Sequence, residues 1–233
     1  MPDAKFTGFA DQGLSFFKKL AKHQDREWFK LHKAEYIEGW HEPMEALLAN
    51  VRARVDDAFP YCELAPPKVF RVYKDTRFSK DKTPYKTHVA GILMAESRGA
   101  TSVTGVPAAL YMHVGLEDGA FAAHGQYSLN PEQLAKFRAG VLDPKRGAAV
   151  AKIARALEKA GFTLGAAETL KKAPRGIDPA HPRADLLLRK GLMAMGPAVP
   201  KALLTSPKLV DHLVRQTKKT VDLVTWLVET TAV

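Results

Sequence analysis

Between Lys68 and His88 the chain reads KVFRVYKDTRFSKDKTPYKTH, with seven lysines and arginines against two aspartates. That net +5 is half of the formal +10 carried by all 233 residues. Arginine offers a planar fork that meets two oxygens at once, lysine a mobile point charge, and serine or threonine hydroxyls complete a phosphate's shell. Arg71, Arg77, Ser79, Lys82 and Lys86 are therefore expected to contact a phosphorylated or otherwise anionic ligand. Tyr73, Phe78 and Tyr85 lie among these cations and offer aromatic faces on which a base would stack, so Tyr85 joins the expected ligand set. Asp75 and Asp81 sit where cations keep a carboxylate ionised and discourage a divalent metal. Asp75 is a candidate general base, although pairing with Arg71 or Arg77 is its better expectation.

A second constellation lies in ALYMHVGLEDGAFAAHGQY, residues 109–127. A two-residue type I′ turn at Asp118-Gly119 pairs Glu117 with Ala120 and sets His113 opposite His124, with Cβ atoms about 5 Å apart. Leu110, Met112, Val114 and Leu116 then share one face with Phe121 and Ala123, and Tyr111 and His113 share the other with His124 and Gln126. Facing histidines can shuttle protons, donate to an anion or begin a metal site. They can equally be ordinary residues of a half-exposed sheet. No third or fourth ligand stands at a suitable spacing, so neither metal nor cofactor is expected. His113 and His124 remain candidates for acid–base work, and whether the protein is an enzyme stays open.

These residues need elements to hold them. Apolar residues at helical spacing predict three helices in residues 1–60, with Asp25 capping one and Pro43 in the first turn of another. Strands are predicted over Val69–Lys74 and Val89–Ala95, with a hairpin over Ala108–Gln126. In VFRVY, alternation turns Phe70 and Val72 inward and Arg71 and Tyr73 outward. Helices should follow from Asn130-Pro131 and from Pro144 to Gly161, with a last amphipathic helix after Pro207. Residues 162–196 are punctuated by glycine and proline. The expected fold is α+β, a mostly antiparallel sheet flanked by helices in a single compact domain. Within it, 1–60 is helical, 68–127 holds the sheet and basic loop, and 128–233 holds helices and a second basic loop.

The composition is that of a globular chain, 46% hydrophobic and 26% charged. A single cysteine, Cys62, excludes an internal disulfide and points to a reducing compartment. The uncharged run from Gly99 to Leu116 is too polar and broken to span a bilayer, and the first residues lack a signal peptide's apolar core. No membrane partner is expected, and the expected location is the cytoplasm. A pI near 9.6 favours polyanionic partners. P-loop, G-x-G-x-x-G, H-E-x-x-H and G-x-S-x-G motifs are all missing.

RVYKDTRFSKDKTPYKTH, residues 71–88, closely resembles the signature of an uncharacterised bacterial and fungal family known as domain of unknown function 2461. FFKKLAKHQDREWFKLHKAEY resembles its N-terminal helical motif, with His23-Gln24 where an asparagine-rich pair is common. LKKAPRGIDPAHPRADLLLRKGL resembles its later basic motif, in which Lys171–Lys190 carries a net +4. The central motif picks out Arg71, Asp75, Arg77, Phe78, Ser79, Asp81, Lys82, Pro84, Tyr85 and Lys86. The resemblance implies no activity. Function classes compatible with the residues are an anion binder, an enzyme acting on a phosphorylated small molecule, a nucleic-acid-binding protein with both basic loops on one surface, and a ligand-free interaction module. Oligomeric state is not legible.

Overall fold

The computed structural model describes residues 4–59, 62–77, 79–97 and 106–231. Phe78 of the basic motif lies outside them. Helix α1 spans Ser15–Lys22, α2 Arg26–Leu31, and α3 Lys33–Tyr36, which passes through a π-helical turn at Ile37–His41 into α4, Glu42–Val55. Asp25 caps α2 as its sequence requires, its Oδ1 accepting from Trp28 N at 2.7 Å. The π turn has a local cause. Pro43 has no N–H to give to the Gly39 carbonyl, and Ala10 N donates to that oxygen instead.

Strands β1 (Cys62–Leu64), β2 (Lys68–Val69), β3 (His88–Ser97), β4 (Ala108–Gly115), β5 (Gly119–Gln126), β6 (Thr163–Gly165) and β7 (Leu192–Met195) form an antiparallel sheet. Its order is β1-β3-β4-β5-β7-β6, with β2 also on β3. Helices α5 (Pro131–Leu142) and α6 (Pro144–Lys159) follow β5, and α7 (Ala184–Leu187), α8 (Lys201–Leu204) and α9 (Lys208–Thr231) complete the chain. Asn130 and Gln133 make a reciprocal capping box on α5, and Asp143 caps α6. The α+β class with a helix-flanked antiparallel sheet is thus the observed fold. β1, β6 and β7 are additions to the sequence reading. Each has three or four residues, too few for alternation to register, and β6 and β7 pair across a long insertion.

One face of the sheet is dry. Leu93, Leu110, Met112, Val114 and Ala122 are buried with Met44, Leu47 and Leu48 of α4 and Leu213 of α9. A second cluster joins Phe137, Val150, Leu157, Leu164, Ala194 and Leu227. α9, at 24 residues about 36 Å long, contributes to both clusters and ties them together. The opposite face carries Lys68, Phe70, His88, Ile92, Tyr111 and Phe121, none of them fully buried.

The hairpin register differs from the sequence expectation. Gly115 pairs with Gly119 across a three-residue loop, Leu116-Glu117-Asp118, so His113 faces Phe121 rather than His124. A type I′ turn needs positive φ at Asp118, and only Gly119 adopts it, at +70°. The slip is by an odd number of residues, which exchanges faces. Tyr111 and His113 therefore share the open face with Phe121 and Ala123, while His124 and Gln126 turn to the helix side.

Candidate site at the basic corner of the sheet

Only Lys68 and Val69 pair with β3 as a strand; Phe70 N still donates to Ala90 O, and the chain then bends at Val72 and doubles back. Tyr73 bridges Tyr85, Lys74 N donates to Pro84 O and Lys86 N to Val72 O, both at 2.8 Å. The tip is wound by side chains that accept from the backbone two residues on. Asp75 accepts from Arg77 N at 3.2 Å, Ser79 from Asp81 N at 3.1 Å, and Asp81 from Thr83 N at 2.9 Å. The Ser79 hydroxyl thus serves the loop itself.

Tyr85 does not offer a stacking face. It is buried, its ring 4.4 Å from Phe29 in a stacked arrangement and 5.4 Å from Tyr73, with its N–H donated to Gln24 Oε1 at 3.0 Å. Alternation alone had no means of knowing that α2 closes over this position. The N-terminal and central motifs meet here, and Gln24 contributes a side-chain acceptor for the Tyr85 backbone N–H.

Two of the cations are neutralised from within. Arg77 forks onto Asp75 at 3.0 and 2.7 Å, and Lys74 Nζ donates to Asp81 at 2.8 Å and to Thr83 Oγ1 at 2.7 Å. The Arg77 hydrogen bonds hold Asp75 below the usual carboxylate range, and the Lys74 hydrogen bond leads the same effect on Asp81. Asp75 is consequently a poor base at neutral pH. Lys82 Nζ donates to Thr76 O at 2.9 Å and Lys86 Nζ to Arg71 O at 3.0 Å. Among the described residues neither Arg71 nor Lys86 has a carboxylate within ion-pair distance. Burial, and then the charge of Arg71, lower the Lys86 pKa.

His88 links this corner to the open face. Its ring lies 4.4 Å from that of His113, which stacks on Phe121 at 4.8 Å. His113 Nδ1 is 3.4 Å from the Tyr111 hydroxyl and Nε2 is 3.9 Å from Asp118. Burial lowers the pKa of His88, with Lys86 the next contributor, and burial and His88 push His113 down to about 4. Both imidazoles are neutral at pH 7. His124 is on the other side of the sheet, its Nδ1–H donated to Ala109 O at 2.7 Å and its ring against Phe162. Burial pushes it to about 4 as well. Of the two candidate histidines, then, only His113 neighbours the basic segment. His88, the missed residue, ends the motif and would have been found by extending the alternation of β3 one residue back.

The two buried histidines set a pH dependence. Unfolded imidazoles titrate near 6.5, so between about 6.5 and 4 the unfolded chain binds protons that the folded one refuses. Stability is complete above the unfolded pKa and falls with pH across that window, by up to about 1.4 kcal/mol per pH unit per group. Melting temperature against pH should show this decline, and His113→Phe should flatten part of it. A profile unchanged by that substitution would mean that His113 titrates normally.

The later basic motif has structural tasks at the other end of the sheet. Arg183 Nε donates to Val141 O at 2.7 Å, closing the C-terminus of α5, Arg189 donates to Leu164 O, and Lys190 pairs with Glu168 at 2.7 Å. The motif leads into Leu192, which pairs with Gln126 at one end of β5; the basic corner adjoins His88, which pairs with Gly115, itself the partner of Gly119 at the other end of β5. Five strand spacings separate β2 from β6, about 24 Å. The two loops do not converge.

The structure defines an antiparallel sheet with one helix-covered face, one open aromatic face and a cationic corner. Residues 12–226 match the family described as conserved hypothetical protein (DUF2461), and the chain belongs to that family. No curated protein and no solved structure matches it.

Proposed function

We propose that this protein binds a phosphorylated or otherwise anionic ligand at the corner formed by Arg71, Lys86 and His88, with Lys82 in the adjoining loop. The observation that carries the reading is the Arg71–Lys86 pair. Two like charges sit together, one of them partly desolvated, without a carboxylate between them among the described residues. That arrangement costs stability unless negative charge arrives from outside the chain. The loop tip supports the reading differently: its internal ion pairs and Asx bonds hold the backbone in one shape before any ligand comes. Among the described residues no helix is long and apolar enough to cross a membrane, and the lone Cys62 is buried. We place the protein's action in the cytoplasm.

The test is thermal stability in phosphate, sugar phosphates and nucleotides. A ligand at a hundred times its Kd adds about 2.7 kcal/mol, which raises the melting temperature of a chain this size by about 5–10 °C. Lys86→Met should melt no lower than the unliganded native protein, because it removes a repelled charge, and should lose the response to anions. A Lys86→Met protein that is still stabilised like the native one would sink the reading.

A further inference from the structure

We infer that the anion is a nucleotide, its base lying on the open sheet face at Phe70 and Tyr111 and its phosphate at Lys86 and Arg71. This rests on the anion reading above and assigns its ligand class. The open face carries a row of aromatic rings, Phe70 on one side of β3 and the others on β4 and β5. Phe70 lies 6.2 Å from Tyr111, Tyr111 lies 6.0 Å from Phe121, and Phe121 stacks on His113. All but His113 keep partial exposure, and Tyr127 at the far end of β5 is 61% exposed. Between Phe70 and His113 the pairing puts Ala90, which is buried. Planar rings on a sheet, uncovered by α4 and α9, suit a planar heteroaromatic ring.

The charge is placed to match. The Lys86 ammonium rests on the carbonyl of Arg71, one residue from Phe70, and Lys68 stands on the same face opposite Ile92. A phosphate held at Lys86 thus lies beside the first ring of the row. A sugar phosphate would use the cations and leave the rings without a partner. A nucleic-acid strand would need cations along its track, yet those of the later basic motif are at the diagonally opposite corner, where Arg183 and Arg189 are engaged with carbonyls and Lys190 with Glu168. One corner of charge beside one patch of rings fits a free nucleotide.

Titration calorimetry with the adenosine, guanosine, cytidine and uridine 5′-monophosphates, ribose 5-phosphate and inorganic phosphate tests this on the full chain. Base stacking makes at least one nucleotide bind about 5- to 150-fold tighter than ribose 5-phosphate. Tyr111→Leu and Phe70→Leu should each erase most of that advantage and leave ribose 5-phosphate affinity unchanged. Saturation-transfer NMR on the native protein, reading base protons against ribose protons, decides the matter should a variant not fold. Equal binding of all four nucleotides and ribose 5-phosphate, with no transfer to base protons, overturns the inference and leaves the anion reading intact. No binding by any probe overturns both. A native dimer that Tyr111→Leu dissociates would show instead that the face covers a second copy of the chain.

Discussion

Gly125→Ala is expected to lower the melting temperature by about 5–15 °C, through a loss of about 2–5 kcal/mol. Gly125 holds φ at +104°, where an L side chain is strained by about 1–2 kcal/mol. A Cβ there would stand 2.5 Å from the Leu192 carbonyl oxygen and 3.1 Å from Met193 Cα, backbone atoms of the neighbouring strand that cannot turn aside. Forcing such a contact adds about 1–3 kcal/mol. The strain falls where β5 meets β7, next to the buried bonds of Gln126 with Gln133 and of Thr231 with Gln126. Gly176→Ala is the control. Its φ is also positive, +82°, with nothing within 4 Å of an added Cβ, so only about 1 kcal/mol should go. Equal melting shifts for the two variants would mean that the β5–β7 packing described above is wrong.

Tyr85→Ala should cost about 3–4 kcal/mol, as truncation of a buried aromatic does. Its ring is the seat on which the basic segment rests, stacked on Phe29 from α2 and bridged to Tyr73 across the loop. Losing it frees the pairing of Val72 with Lys86, so the response to anions should vanish with the stability. Tyr85→Phe keeps the ring and should preserve both, with a change below about 1 kcal/mol. Chemical denaturation of the two variants beside the native protein measures this. A Tyr85→Ala chain of native stability that binds no nucleotide would place the ring in a ligand site and not in the core.

Legibility followed the range of the interactions. Caps at Asp25 and Asn130 were readable because each is a bond to a backbone three residues away. The Asp75–Arg77 pair was within reach for the same reason. The hairpin's existence was legible from alternation, but its register turned on whether Asp118 takes positive φ, and the wrong choice carried His124 to the wrong face. In the sequence Tyr85 stands as a free ring because nothing near it announces that Phe29, 56 residues earlier, covers it. β6 and β7 escaped because each is a few residues long and finds its partner across an insertion.

By itself the sequence determined the α+β class, the family, the helix starts and the place where positive charge concentrates, since all of these live in composition, spacing and bonds between near neighbours. Only the tertiary structure decided which cations remain without a carboxylate among the described residues, which histidine stands beside them and which face of the sheet stays open. Those outcomes depend on strand parity and on contacts between residues far apart in the chain, where one extra turn residue reverses every side chain beyond it.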